Sequence, residues 1–213
     1  MKQQAAFWSG EADAWFERNR DKEPNPLVIA AYWNIDAAPK KVLEIGCSDG
    51  RYLNQVQTYF NCECIGVDPS EKALEHGKKS FPALKLYRGT AETAYRMFRG
   101  DKFDILIFGF CLYVLDRDDL FSTVAFADAL LAEGGHLAIH DFHPTQPELV
   151  PYHHKEGLFT YKMRYDNLWL ANPAYEWVSE MKTADGEAVT VLRKDNWDKH
   201  ACGFSFSRLT QNS

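Results

Sequence analysis

The chain has 213 residues, enough for one well-cored domain and short for two. Hydrophobic residues make up 46% and charged residues 25%, an ordinary globular composition that excludes an intrinsically disordered chain. The formal net charge is −6 and no basic run occurs, so a nucleic acid is not expected as a partner.

The expected compartment follows from the cysteines and from the hydropathy of the chain. The five cysteines are an odd number and show no metal-binding pattern, which favours packed free thiols. No apolar signal-peptide core follows Met1, and no stretch reaches membrane-spanning length. We therefore expect a soluble cytoplasmic protein with no membrane partner.

Two helices are predicted before the first strand. Aromatic residues recur near helical spacing over residues 5–21, and Asn25 precedes Pro26 in a pattern typical of a helix start. This N-terminal region, residues 1–36, has two interpretations. It either covers an edge of the core or forms an aromatic lid over a ligand.

The segment that organises the chain is a strand, a glycine turn and a helix. Val42, Leu43 and Ile45 suit a buried strand, and a helical pattern begins near Arg51. This order gathers free backbone N–H groups beyond the end of the first strand of an open α/β sheet. Glu44 would repel a pyrophosphate, but it suits a ligand that carries an ammonium or a sulfonium group.

Two further strand ends complete a predicted nucleoside site. A second buried strand ends at Asp68, about twenty residues beyond the glycine turn, where an acid can accept both ribose hydroxyls. A third strand, residues 84–89, leads into Thr90, Ala91 and Glu92. This small polar turn can receive the edge of an adenine ring.

Strands and helices continue to alternate up to residue 142, which predicts a parallel sheet with helices on both faces. The later elements are a fourth strand at 103–110, a helix at 118–131, a fifth strand at 136–142, a hairpin of 175–183 with 188–194, and a terminal strand at 201–209. Prolines interrupt the alternation after residue 142. We expect an insertion at about 143–175 on the substrate side, with one helix near 167–175.

The motifs VLEIGCSDGRYL, IGVDPS, RGTAE, FDILIFGFCLYVL and LLAEGGHLAIHDF follow one another over about residues 40–142. In order and spacing they resemble the class I S-adenosylmethionine-dependent methyltransferases. The resemblance implies one methyltransferase domain over residues 1–213 with a Rossmann-like fold: a seven-stranded, mostly parallel sheet whose last strand is antiparallel, with helices on both faces. FWSGEADAWFERNRD loosely resembles methyltransferases associated with bacterial surface-sugar biosynthesis.

The resemblance also implies S-adenosylmethionine as cofactor, with S-adenosylhomocysteine as product. The residues implied to bind it are Glu44, Gly46, Cys47, Ser48 and Gly50 around the methionine part, Asp68 at the ribose, Pro69, Thr90, Ala91 and Glu92 near the adenine, Phe108, Gly109 and Phe110 near the amino-acid end, and Trp15 of the N-terminal region. Ser48 departs from the family, which usually has a glycine there.

A hydroxyl acceptor needs a general base, which typically contributes roughly 10²–10⁴-fold in rate. The candidates lie at the ends of strands four and five and in the insertion: Tyr113, His140, Asp141, His143, His153 and His154. Strand alternation places His140 and Asp141 on opposite faces. We predict His143 as the base with Asp141 orienting it, and His153 as the alternative. The spacing matches no compact metal signature, so no metal site is predicted.

The predicted function is methyl transfer to a small polar metabolite, as O-methylation of a sugar or nucleotide-sugar. Two alternatives stay open, an N-methyltransferase acting on a small amine and a non-catalytic S-adenosylmethionine-binding module. A dehydrogenase is disfavoured because the Gly-x-Gly-x-x-Gly pattern is absent and Glu44 would face a pyrophosphate. The oligomeric state is open, with a homodimer as one alternative.

Overall fold

The computed structural model describes residues 2–184 and 186–195. The strands in this part of the chain are β1 (Lys41–Ile45), β2 (Glu63–Asp68), β3 (Lys85–Arg88), β4 (Phe103–Gly109), β5 (Leu131–Phe142), β6 (Glu148–Pro151), β7 (Phe159–Lys162), β8 (Tyr175–Ala184) and β9 (Glu187–Lys194). The α-helices are α1 (Gln3–Ala6), α2 (Ala12–Asn19), α3 (Pro26–Trp33), α4 (Arg51–Phe60), α5 (Glu71–Ser80), α6 (Ala91–Met97), α7 (Leu120–Leu130) and α8 (Asp166–Leu170).

Seven strands form one mixed sheet in the order β3-β2-β1-β4-β5-β9-β8. Strands β1 to β5 pair in parallel, whereas β9 pairs antiparallel with both β5 and β8. This confirms the predicted seven-stranded sheet with an antiparallel last strand. The terminal strand predicted at 201–209 lies outside the described residues.

The core has two layers because the central strands are buried on both faces. Leu43 packs in one layer with Phe108, and Val42 packs in the other with Leu53 of α4. Such continuous apolar strands are expected where helices cover both faces of a parallel sheet. Within the described part of the chain, no helix is long and apolar enough to cross a membrane.

Local capping explains where several helices begin. The Asn25 side chain accepts a hydrogen bond from the Leu27 N–H at 2.9 Å, so α3 starts at Pro26 as predicted. The Ser70 hydroxyl accepts from the Ala73 N–H at 3.0 Å and caps α5 in the same way. Each cap satisfies a backbone donor that has no partner inside its helix.

The N-terminal region differs from the single helix predicted over 5–21. A π-helical turn (Phe7–Glu11) separates α1 from α2, and Gly10 inside it has φ 137°. A side chain at residue 10 would oppose this backbone conformation, and glycine removes that penalty. The chain therefore bends at Gly10, and Phe7 and Trp15 both reach the cavity described below.

The insertion after β5 contains a hairpin that the sequence pattern did not predict. Strands β6 and β7 pair antiparallel from Glu148 with Lys162 to Pro151 with Phe159. Four-residue strands are too short to show a clear alternation. The helix predicted at 167–175 is α8, which is shorter and begins one residue earlier.

We expect Gly77→Ala to destabilise the fold although alanine favours helices. A Cβ at Gly77 would meet the Asp49 carbonyl oxygen and would lie 2.6 Å from Leu86 Cδ1, so α5 would move off the glycine turn. Overpacking of this kind costs roughly 1–3 kcal/mol, more than the gain of about 1 kcal/mol in helix propensity. Urea unfolding measures the difference in the free energy of unfolding between the wild type and Gly77→Ala. The control is Lys78→Ala, which changes an exposed residue of the same helix. An unchanged midpoint for Gly77→Ala would show that the contact is not tight.

Candidate active site

A cavity of ≈ 370 Å³ lies at the carboxyl ends of β1, β2, β4 and β5. Its floor is formed by the tips of these strands, and its roof by residues of the π-helical turn and α2. This is the edge at which open α/β sheets bind their ligands, and the volume falls in the usual range for small-molecule sites.

The glycine turn after β1 has a conformation that demands small residues. Gly46 has φ 78°, and a Cβ there would lie 2.6 Å from Cys111 Cβ. Ser48, at the position that usually holds glycine, has φ 50° and donates its N–H to the Asp68 carboxylate at 2.8 Å. This hydrogen bond offsets part of the strain of a serine whose backbone is in the left-handed region. The departure from the family pattern is therefore accommodated.

Glu44 is a buried carboxyl with an unused acceptor. Its side chain is 2% exposed, and Oε2 has no hydrogen-bond partner. Burial raises the pKa of Glu44 to about 8, with further increases from the Asp68 and Asp49 carboxylates. A buried acceptor without a donor costs free energy. The cavity is therefore suited to a ligand group that brings a positive charge or an N–H to Glu44.

Asp68 connects the ends of β1 and β2. Its carboxylate accepts from the Ser48 N–H and from the Ser70 N–H, each at 2.8 Å. Burial raises the pKa of Asp68 to about 6, although these two N–H donors oppose the increase. The Ser70 hydroxyl donates to Asp13 of α2 at 2.7 Å, so the N-terminal region is fastened beside Asp68.

The structure brings most of the predicted cofactor residues together. Those lining the cavity are Trp15, Glu44, Gly46, Cys47, Ser48, Asp68, Pro69, Thr90, Ala91, Phe108, Gly109 and Phe110. Two of the predicted cofactor residues do not line the cavity. Glu92 lies on the surface, where its carboxylate pairs with Arg96 at 2.6 Å. Gly50 lies below the cavity as the N-cap of α4, with φ 80° and a position that would place a Cβ 2.7 Å from Leu84 Cδ1.

The predicted pairing of Asp141 with His143 does not form. Asp141 instead accepts from the Leu112 N–H and the Phe142 N–H, each at 2.8 Å, and holds the loop after β4. Burial raises the pKa of Asp141 to about 7. His143 lies outside the cavity, with Nε2 3.4 Å from Glu180 Oε2 and 3.9 Å from Asp166 Oδ1. His143 continues the pairing of β5, because its N–H donates to the Gly186 carbonyl at 2.6 Å, and strand alternation places its side chain on the face opposite His140.

The insertion also lies apart from the cavity. No described residue of 143–175 lines the cavity, and His153 and His154 are exposed. The insertion fastens the N-terminal region instead, because the Tyr152 hydroxyl bonds with Glu11 and Arg18, both at 3.1 Å. Among the residues that the structure describes, no group of three or more His, Cys, Asp or Glu side chains could hold a metal ion.

Tyr113 lines the cavity, and His140 is the one histidine among the described residues that does so. Burial raises the pKa of the Tyr113 phenol and lowers the pKa of His140 to about 4. The His140 ring packs 5.0 Å from the Phe110 ring and 6.3 Å from the Tyr52 ring. In the described part of the chain, no side chain hydrogen-bonds the His140 nitrogens. The alternation of β5 placed His140 on the face opposite Asp141, and that signal could have identified it.

Several other lining residues were not predicted from the sequence as site residues. They are Asn19, Lys22, Glu23, Asn25, Arg51, Tyr52 and Glu187. The Tyr52 hydroxyl accepts from the Asn25 N–H at 2.8 Å. Arg51 donates to Asp49 and to the backbone carbonyls of Arg20 and Lys22. The first turn of α4 thus holds the linker between α2 and α3 against the cavity.

Comparisons with known proteins agree with this geometry. Residues 42–135 match a family described as a methyltransferase domain. No curated protein sequence matches the chain. The sheet order and the glycine turn agree with this match, which covers residues 42–135 of the 213-residue chain.

Solved structures share this fold. The chain is similar to the 1,6-didemethyltoxoflavin-N1-methyltransferase of Burkholderia thailandensis, with 17% identity and a TM-score of 0.70 over 91% of this chain and 90% of that chain. It is also similar to an amino pentose methyltransferase of Micromonospora echinaspora, with 18% identity and a TM-score of 0.64 over 86% and 96%. The N-methyltransferase NodS of Bradyrhizobium japonicum shows 15% identity and a TM-score of 0.60 over 83% and 90%.

The raised pKa of Glu44 predicts that the ligand-free fold loses stability as the pH rises. Between the unfolded pKa of about 4.3 and the folded value of about 8, the folded state holds a proton that the unfolded state releases. The free energy of unfolding should therefore fall by roughly 2–5 kcal/mol from acidic to mildly alkaline pH. Glu44→Gln should flatten this dependence, as measured by urea unfolding at several pH values.

The control for this measurement is Glu92→Gln, which changes an exposed carboxyl at the same end of the sheet. It should keep the wild-type pH dependence. Equal slopes for the wild type and Glu44→Gln would show that Glu44 ionises normally in the fold.

Proposed function

We propose that the protein transfers a methyl group from S-adenosylmethionine to a hydroxyl oxygen of a small polar metabolite, a sugar or a nucleotide-sugar. One observation carries this proposal. The imidazole of His140 faces the cavity beside the cofactor residues, is uncharged at neutral pH and has no hydrogen-bond partner in the described part of the chain. A neutral histidine is the form that can accept a proton from a hydroxyl.

The cofactor residues have defined tasks in this proposal. S-adenosylmethionine supplies a methyl group on a sulfonium, from which a neutral thioether leaves. Glu44, once ionised, binds the amino group of the methionine part, and Asp68 accepts from the ribose hydroxyls. Gly46 and Gly109 let the tips of β1 and β4 approach each other closely beside Glu44, because a Cβ at either position would meet neighbouring protein atoms. Such positioning can supply about 7–11 kcal/mol of a barrier.

The N-terminal region, residues 1–36, acts as a lid in this proposal. Phe7, Trp15 and Phe16 cover the cavity with aromatic side chains. Two contacts of Gln3 keep them there: its side chain accepts from the Phe159 N–H of the insertion and donates to the Val114 carbonyl after β4. A closed aromatic roof excludes water, which would otherwise compete for the acceptor position.

N-methylation of a small amine is the second candidate function. An amine attacks with its own lone pair, and a carboxylate, Glu187, faces the cavity and could receive its proton. The toxoflavin enzyme and NodS are both named as N-methyltransferases. Labelled S-adenosylmethionine with pools of sugar nucleotides, phenols and amines separates the candidates. Cofactor binding without transfer to any pool would support a non-catalytic module.

The role of His140 can be tested against that of His143. With a hydroxyl acceptor, His140→Gln should lower kcat roughly 10²–10⁴-fold and leave the cofactor Kd nearly unchanged, because the variant loses the base and keeps the glycine-turn site. His143→Gln, which changes a histidine outside the cavity, should retain turnover. Single-turnover rates and calorimetric titration with S-adenosylhomocysteine provide the two measurements. If instead His143→Gln loses turnover and His140→Gln retains it, His143 is the base.

A further inference from the structure

The end of the cavity farthest from β1 lies at β9, the strand that pairs antiparallel with β5. The cofactor residues occupy the tips of β1, β2 and β4 and the loop after β3. Glu187 opens β9, which is three strands away from β1, a separation of roughly 14 Å. The cofactor side and Glu187 are therefore at opposite ends of one cavity, and the end at Glu187 is left for the acceptor.

Glu187 and His140 point into this end together. In the register of β5 with β9, His140 pairs with Val189 and Phe142 pairs with Glu187. Glu187 is therefore a diagonal neighbour of His140 on the same face, with the two positions about 7–8 Å apart. One small molecule can contact both side chains.

The Glu187 carboxylate lacks a partner. In the described ranges 2–184 and 186–195 it accepts no hydrogen bond and forms no ion pair within 4.0 Å, although it is half-buried. Burial raises the pKa of Glu187, and the charges of Lys162 and Lys22 oppose the increase. Lys162 pairs with Glu148 instead, at 3.9 Å. A partly desolvated carboxylate without a donor costs free energy, and a cationic donor on a ligand would remove that cost.

We propose that Glu187 binds a protonated amino group of the acceptor while His140 faces the hydroxyl to be methylated. The acceptor class is therefore an amino alcohol, such as an amino sugar. Glu187 selects the acceptor by a charge-assisted hydrogen bond, and Lys22 at the cavity wall weakens this selection by repelling the same cation. This inference rests on the proposed O-methylation and names its substrate class.

The test compares amino sugars, aminocyclitols and simple amino alcohols with their N-acetyl derivatives and with neutral sugars. Glu187→Gln should raise KM for amine-bearing acceptors roughly 10–100-fold and leave the Kd of S-adenosylhomocysteine unchanged. Lys22→Met should lower that KM. The control is Glu176→Gln on β8, whose carboxylate pairs with Arg193 outside the cavity at 3.5 Å. It should match the wild type.

The outcomes separate this inference from the proposed function. Preference for neutral sugars, with Glu187→Gln equal to the wild type, overturns the inference and leaves O-methylation standing. Methyl groups found on nitrogen overturn O-methylation, and the KM of Glu187→Gln then decides whether Glu187 binds the amine. If no acceptor is methylated, calorimetric titration of glucosamine into the S-adenosylhomocysteine complex shows whether Glu187 contributes to binding of the amine. Equal binding by wild type and Glu187→Gln would overturn the inference.

Discussion

The close approach of the β1 and β4 tips around the Glu44 carboxyl is the constraint on which the rest of the site depends. A Cβ at Gly109 would lie 2.5 Å from Glu44 Oε1 and 2.7 Å from the Gly46 carbonyl oxygen. The tips of two adjacent strands therefore approach each other closely at this point, and the Glu44 carboxyl is enclosed between them. Its unused oxygen and raised pKa follow from that enclosure.

The same turn also holds the roof of the cavity. Asp49, next to the turn, accepts from the Arg51 guanidinium, which donates onward to the linker between α2 and α3. At the other side, Asp68 accepts from the Ser70 N–H while the Ser70 hydroxyl donates to Asp13 of α2. Both sets of hydrogen bonds start at, or next to, residues that line the cavity. A ligand that shifts the turn would therefore shift α2 with it.

The cofactor half could be predicted from sequence because its determinants are local. The strand, the glycine turn and the acid of β2 fall within residues 42–68, and each has a composition that backbone geometry requires. The catalytic prediction chose His143, but the pairing of β5 continues to this residue, whose N–H donates to the Gly186 carbonyl. Strand alternation then places His143 and His140 on opposite faces, so His140 faces the cavity whereas His143 contacts Glu180. Long-range packing decides which face of β5 lines the cavity, and no local pattern encodes it.

The end of the cavity at His140 and Glu187 shows why such a site escapes sequence patterns. Lys22, Tyr52, His140 and Glu187 come from four separate elements and meet only because β9 returns beside β5 and the first turn of α4 holds the linker before α3. Each residue is unremarkable in its own segment. Their chemistry arises from burial, which keeps the imidazole neutral and leaves a carboxylate without a donor. The far end of the cavity thus depends on long-range pairing, whereas the end at the glycine turn is encoded by one continuous stretch of chain.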